Sequence, residues 1–271
     1  MNTLQHYLEA IRQPFSLEGE DSLSFGPAKS EPTIMVFSPH PDDECVVGAL
    51  PLRWRHQKAA RVINVAVTLG SNRERQQARL KELERACEHL HFENHVLGWE
   101  EVLPREVSFQ AIEDRRRQRS EHLAGLIREY RPLMVCYPHL YDLHPAHIGV
   151  HELVEDALRT IPPAEQPWRC YTEFWHPMVQ PNLMVEVDRP LLAQLLRALA
   201  EHVGEIERNP YHLKLPAWMI DNTRRGSERI CGKGTETYEM PFTTLYRLEH
   251  ATGKEVSEPT LPASSSPDGC L

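Results

Sequence analysis

Apolar and polar positions follow two rhythms along this chain. TIMVFS (33–38), RVINVAVT (61–68) and LMVCYP (133–138) are short, nearly continuous apolar runs rich in β-branched residues. Runs of this kind read as strands buried on both faces. NHVLGW (94–99) reads as a further strand. Between these runs lie longer stretches, 43–58, 72–91, 108–130 and 146–160, which read as helices, 72–91 being amphipathic. Asp42 or Asp43 is positioned to cap the first of them. Pro51 is expected to kink it.

Strands that alternate with helices of this length imply βαβ units. The fold class expected is α/β: a Rossmann-like, mostly parallel sheet with helices on both faces. The pattern changes after residue 160. RCYTEFW (169–175) and NLMVEVD (182–188) read as strands, 189–208 as a helix and MPFTTLYRL (240–248) as a closing strand. This part is expected to form a small C-terminal α+β extension. No linker separates it, so 31–250 reads as a single domain. It follows an irregular, partly helical arm (1–30) and precedes a polar tail (251–271) expected to be disordered.

Composition narrows the function classes. The net charge of −9 argues against a nucleic-acid partner, which favours a basic surface. No segment is apolar for long enough to span a membrane. MNTLQHYLEA lacks the basic start and apolar stretch of a secretory signal. The six cysteines are scattered without a CxxC pair, so a zinc ribbon is not expected. Cys45, Cys87 and Cys136 sit in apolar patterns and read as small buried thiols, reduced in a cytoplasm. A cytoplasmic location is the expectation.

In parallel sheets, ligands bind beyond the carboxyl ends of the strands. Two stretches at such places are rich in ligand-type residues: SPHPDDE after the first strand and YPHLYDLHPAHIGVH after the fourth. Zinc accepts imidazole and carboxylate, and catalytic zinc uses three protein ligands with one position left open. The first cluster offers His40 and an aspartate; the second offers His144, His147 and His151. Pro145 suits the first helical position, which puts His144 at the helix start. Taken alone, Asp-Asp opening a helix is commonly a cap and dipole partner. HxxxH lacks the glutamate of zinc-protease helices. Two complementary clusters, each after a strand, are harder to dismiss.

PHPDDE followed by HPAH resembles the PIG-L/LmbE-like zinc-dependent N-deacetylases, over roughly residues 33–190. The resemblance implies a hydrolase that removes an N-acyl group, acetyl first, from an N-acetylglucosamine-type amino sugar or its conjugate. It implies zinc held by His40, Asp43 and His147, and water activated there with Asp42 as general base. His144 would stabilise the oxyanion or protonate the leaving amine. Iron or cobalt could stand in for zinc. RLKELERACEHL (79–90) matches the family's R-x-x-E-x-x-x-A-x-x-x-L pattern, in which Arg79 would reach the sugar. A structural ion pair is the competing reading for Arg79. The implied partner is a small amino-sugar substrate; relatives often assemble, which leaves a homo-oligomer open.

Two features depart from the family pattern. Ala146 stands where HPDH is common, removing a carboxylate that would orient His144, and Asp142 is the candidate to take over. TLGSNRERQQ (68–77) replaces an acidic, glycine-rich loop, which suits a phosphate- or carboxylate-bearing substrate. The tract TRRGSERICGKG (223–234) either lines the cleft or is a solvated loop. Alternatives to the deacetylase are an amidase of a larger sugar-thiol or peptide-like conjugate and a non-catalytic binding member of the fold.

Overall fold

The structure, a computed structural model, describes residues 23–29, 32–102, 109–230, 232 and 240–253. Most of the expected arm, the tail from 254 and residues 231 and 233–239 of the cationic tract lie outside the described residues. Five strands run parallel: β1 (Thr33–Ser38), β2 (Arg61–Thr68), β3 (Glu93–Trp99), β4 (Met134–Pro138) and β5 (Trp168–Thr172). Two more complete the sheet. β7 (Thr243–Glu249) lies antiparallel to β5, and β6 (Leu183–Glu186) antiparallel to β7. The order is β3-β2-β1-β4-β5-β7-β6.

Helices cover both faces, as the sequence pattern requires. Ile34 and Val36 of β1 pack on one side with α1 (Asp43–Val46), α2 (Ala49–Lys58), α3 (Arg73–Leu90), α6 (Arg189–Ala200) and α8 (Tyr211–Arg229). Met35 and Phe37 pack on the other with α4 (Phe109–Tyr130) and α5 (Pro145–Arg159). A strand covered on both sides has no solvent face, so every position of β1 is buried and its sequence is apolar throughout. β3 is one edge of the sheet, and its half-exposed residues explain its mixed composition.

Three elements differ from expectation. The helix expected over 43–58 is broken at Val47–Gly48, not kinked at Pro51. Pro51 lies in the first turn of α2, where a missing N–H costs no helical bond. A Cβ on Gly48 would come within 2.1 Å of the Glu44 carbonyl oxygen. The break is tied from the far end of the chain. The buried Tyr246 hydroxyl donates to the Val47 carbonyl (2.7 Å) and accepts from the Leu50 amide (3.1 Å). The helix expected over 189–208 is two, α6 and the short α7 (Val203–Ile206). The described start of the cationic tract is helical: α8 runs to Arg229 and buries Tyr211, Leu215, Met219, Asn222, Thr223 and Gly226. Thr223–Ile230 contribute nothing to the main cleft. No helix among the described residues is long and apolar enough to cross a membrane. Cys45, Cys87, Cys136 and Cys170 are buried free thiols.

Candidate active site

The strand order reverses between β1 and β4, which is where an open parallel sheet offers a crevice. The two ligand-rich stretches follow these two strands. A cleft of about 670 Å³ opens there, and the loops after all five parallel strands line it. They contribute His40 and Asp42, Gly70 and Ser71, Glu100 to Val102, His144 to Ala146, and Phe174 and Trp175. Glu205, Arg208, Asn209 and Tyr211 close it from the C-terminal part.

His40, Asp43, His144 and His147 come together. Ligand atoms of the three histidines lie within 4.8 Å of one another. Asp43 Oδ2 accepts from the His40 amide (2.7 Å) and lies 3.6 Å from His40 Nδ1. Its Oδ1 faces His147 Nε2 at 3.4 Å, and both atoms are buried without a hydrogen-bond partner. His147 Nδ1 donates to Asp142 Oδ2 (2.6 Å), which leaves Nε2 as the ring nitrogen turned to Asp43. A carboxylate oxygen and an imidazole nitrogen facing each other out of water call for positive charge between them, carried by a proton or by a metal ion. The residues therefore fit a divalent metal, with imidazole and carboxylate as the donor set. Electrostatics agree. Burial alone would raise the Asp43 carboxyl, yet His147 and His40 outweigh it and hold it below its ordinary value. His147 is raised: burial opposes, but Asp43 and Asp142 prevail.

Asp42 has φ 117° and ψ −27°, a conformation costly for a residue with a side chain, on the order of 1–3 kcal/mol. It occupies the N-cap position of α1, as expected, but its side chain makes no capping bond. The carboxylate is left to the cleft. Burial, then the neighbouring Asp43 and Glu44, push it well above the usual carboxylate range, with Arg79 opposing.

His144 is the N-cap of α5 with Pro145 in the first turn, and its Nδ1 accepts from the Ala146 amide (3.3 Å). Burial, then His40 and His147, lower it to about 4. Its ring stacks on Trp175 (centroids 5.9 Å, 21°). The Asp142 carboxylate does not orient the His144 ring, contrary to expectation. It sits on His147, and its other oxygen accepts from the amides of Phe174 (3.3 Å), Trp175 (2.7 Å) and His176 (3.0 Å). The turn at His144 swings that ring out while α5 carries His147 inward. His151 turns away and donates from Nδ1 to the Pro138 carbonyl (2.9 Å).

Arg79 lines the cleft but is already engaged. Its Nη2 donates to the Pro41 carbonyl (3.0 Å) and lies 3.7 Å from Glu205. Gly70, at φ 84°, leaves room for the guanidinium; a Cβ there would meet Nη1 at 2.2 Å. Sequence reasoning missed Phe174, Trp175, Glu205 and Tyr211. The aromatic pair stood at the end of an expected strand, where the carboxyl-end rule applied to β1 and β4 would have found it. Glu205 and Tyr211 carried no such signal.

Residues 35–158 match the family model described as PIG-L, GlcNAc-PI de-N-acetylase. No curated protein matches the sequence significantly. Solved structures share the fold. N,N'-diacetylchitobiose deacetylase from Pyrococcus horikoshii is 14% identical, with 93% of this chain and 94% of that one covered and a TM-score of 0.61. A teicoplanin-pathway deacetylase is 16% identical over 80% of this chain and 98% of its own, TM-score 0.61. 4-Carboxy-2-hydroxymuconate hydratase from Pseudomonas putida is 14% identical over 83% and 98%, TM-score 0.64. The fold thus houses more than one chemistry. The motifs at the crevice and this match agree: residues 35–158 are similar to the PIG-L family.

Proposed function

We propose that the protein is a metal-dependent hydrolase that removes an N-acyl group, acetyl in the simplest case, from an N-acetylglucosamine-type amino sugar or its conjugate. The observation that carries this reading is the facing pair of buried, unpartnered atoms, Asp43 Oδ1 and His147 Nε2, beside a carboxylate released from capping. His40, Asp43 and His147 would hold the ion. Bound there, a divalent cation supplies a Lewis acid that polarises a carbonyl and makes water more acidic. The family description and two deacetylases of like fold support the amide as substrate. A deacetylase of this fold crystallised in a zinc-inhibited form (16% identical, 80% of this chain and 98% of that one covered, TM-score 0.60) argues for testing iron and cobalt beside zinc.

The chain's own groups divide the remaining work. Asp42 accepts the proton of the attacking water and holds it until the amine leaves. His144 Nδ1 accepts an amide N–H, so its ring proton sits on Nε2. From the cleft wall that N–H donates to the oxyanion as the carbonyl becomes tetrahedral, an interaction typically worth several kcal/mol. Asp42 then returns its proton to the nitrogen, and amide plus water become carboxylate plus amine. Trp175 and Tyr211 offer flat faces to a sugar ring, and Arg79 and Glu205 offer polar edges.

The test is metal content by elemental analysis, with free-amine release from N-acetylglucosamine, on wild type and Asp42→Asn. About one ion per chain in both proteins, with turnover lost in the variant, is expected. Turnover surviving Asp42→Asn would remove Asp42 as base. Wild type that binds no supplied zinc, iron or cobalt would sink the hydrolase.

A further inference from the structure

A second group of ligand-type side chains lies behind the cleft. Glu44, Cys45 and His202 are each buried to 1% exposure or less. Glu44 Oε1 accepts from His202 Nε2 (2.6 Å) and from the Cys45 thiol (3.2 Å). Glu44 Oε2 accepts from the Asp42 amide (2.9 Å). The carboxylate therefore joins a histidine between α6 and α7 to the backbone of the residue with the strained φ. His202 is outside the segment that matches the family model, and is itself fixed: its amide donates to the Leu199 carbonyl, and its carbonyl accepts from Glu205 and Ile206.

We infer that His202 is a positioning residue, which through Glu44 holds the Asp42 backbone in its left-handed conformation and so aims the Asp42 carboxylate into the cleft. The inference rests on the proposed role of Asp42. Its physics is that of an over-determined strained residue. The Asp42 carbonyl accepts from the Cys45 and Val46 amides at the start of α1 (3.0 and 3.1 Å). Its amide would ordinarily be turned elsewhere, and the Glu44 carboxylate holds it. A buried carboxylate keeps its place only while it is compensated. Without His202, Oε1 retains the weak thiol donor alone. Glu44 then shifts toward another donor, Asp42 loses its amide partner and the positive φ relaxes. The local sequence DDE cannot by itself do this, because Glu44 has no fixed orientation without the imidazole.

The experiment compares His202→Ala and His202→Gln with wild type, by crystal structure of the metal-free proteins and by metal content and N-acetylglucosamine turnover of the loaded ones. In the Ala variant we expect Asp42 to leave positive φ. We also expect metal retained at about one per chain, and kcat down on the order of 100-fold, as for a misplaced catalytic group, with KM within about twofold. Glutamine carries an N–H donor at a similar reach, and should keep both the φ and most of kcat. The inference is overturned if a folded Ala variant keeps Asp42 at positive φ, or if it loses metal and turnover together while φ is unchanged. It is equally overturned if a folded Gln variant fails to hold φ, the deciding result should the Ala variant not fold. The crystallographic readout needs no substrate. Wild type that turns over nothing therefore counts against the hydrolase and leaves this result to stand or fall separately.

Discussion

The stretch matched by the family model and the stretch after it build the cleft in different ways. Residues 35–158 supply the imidazoles and the carboxylate of the crevice: His40, Asp43, His144 and His147, set by local geometry at two strand ends. The described residues of the later stretch add no side chain to that set. They supply the Trp175 face, the carboxylate of Glu205 and the imidazole that holds Glu44. Motif residues need few neighbours to be recognisable, because their chemistry is in the side chain. Their aim depends on partners far along the chain. The comparison can be broken at the contacts that cross from one stretch to the other, and these differ in strength.

Asp142 is the strongest crossing. One oxygen fixes His147 and the other takes three successive amides of the loop 174–176. Asp142→Ala removes a fully buried carboxylate and strands four donors, the His147 ring and three backbone amides. At ~1–3 kcal/mol for each buried donor left unpaired, we expect a loss of at least about 3 kcal/mol, read from chemical unfolding. Asp142→Asn separates the two jobs. It keeps an oxygen for one side and offers NH2 to the other. If the NH2 faces His147, it pushes the ring proton to Nε2, the atom aimed at Asp43. Metal affinity should fall roughly 10- to 100-fold by titration calorimetry. Wild-type affinity in the Asn variant would mean that the later stretch does not reach the ligands through Asp142.

How much of this was legible depends on range. β1, β2 and β4 are apolar at nearly every position because helices cover both faces, so their sequences announced them. The two motifs follow β1 and β4, and the carboxyl-end rule located the cleft before any coordinates. α8 was missed because Pro216 and the run TRRGSER suggest a loop. Yet its buried residues 211, 215, 219, 222 and 226 keep the three-to-four spacing of a helix face. The break at Gly48 and the pairing of Glu44 with His202 were beyond reach. Each is decided by a contact whose partner lies more than 150 residues away. The assignment of Asp142 to His147 rather than His144 turned on which way one helix cap faces.

Tyr246 is the second crossing. From the last strand its hydroxyl serves both the Val47 carbonyl and the Leu50 amide in the α1–α2 break. Tyr246→Phe keeps the packed ring and removes both bonds. Two buried backbone groups lose their partner, and we expect about 1–3 kcal/mol of lost stability in a urea titration, with the m-value unchanged. A neutral result would mean that the break is held by Gly48 and its neighbours alone, within the matched stretch.

The weakest crossing is Glu201 at the end of α6, which accepts from Arg85 Nε (2.6 Å) and contacts His89 Nε2 (3.2 Å), both on α3. Burial pushes its carboxyl up, but the bonds from Arg85 and His89 outweigh this and leave it lowered. The sign follows from linkage. A carboxyl lowered in the folded state adds stability above its unfolded pKa, and that stability fades as pH falls through the folded value. Glu201→Gln should therefore be less stable than wild type at neutral pH, and the gap should close on acidification below the ordinary glutamate range, about 4.3. The pair is half in solvent, so the gap should be only ~0.2–1 kcal/mol and should shrink in added salt. The measurement is thermal unfolding of both proteins across pH. A gap that widened in acid would put the stabilising charge elsewhere and leave the α3–α6 contact to its apolar packing.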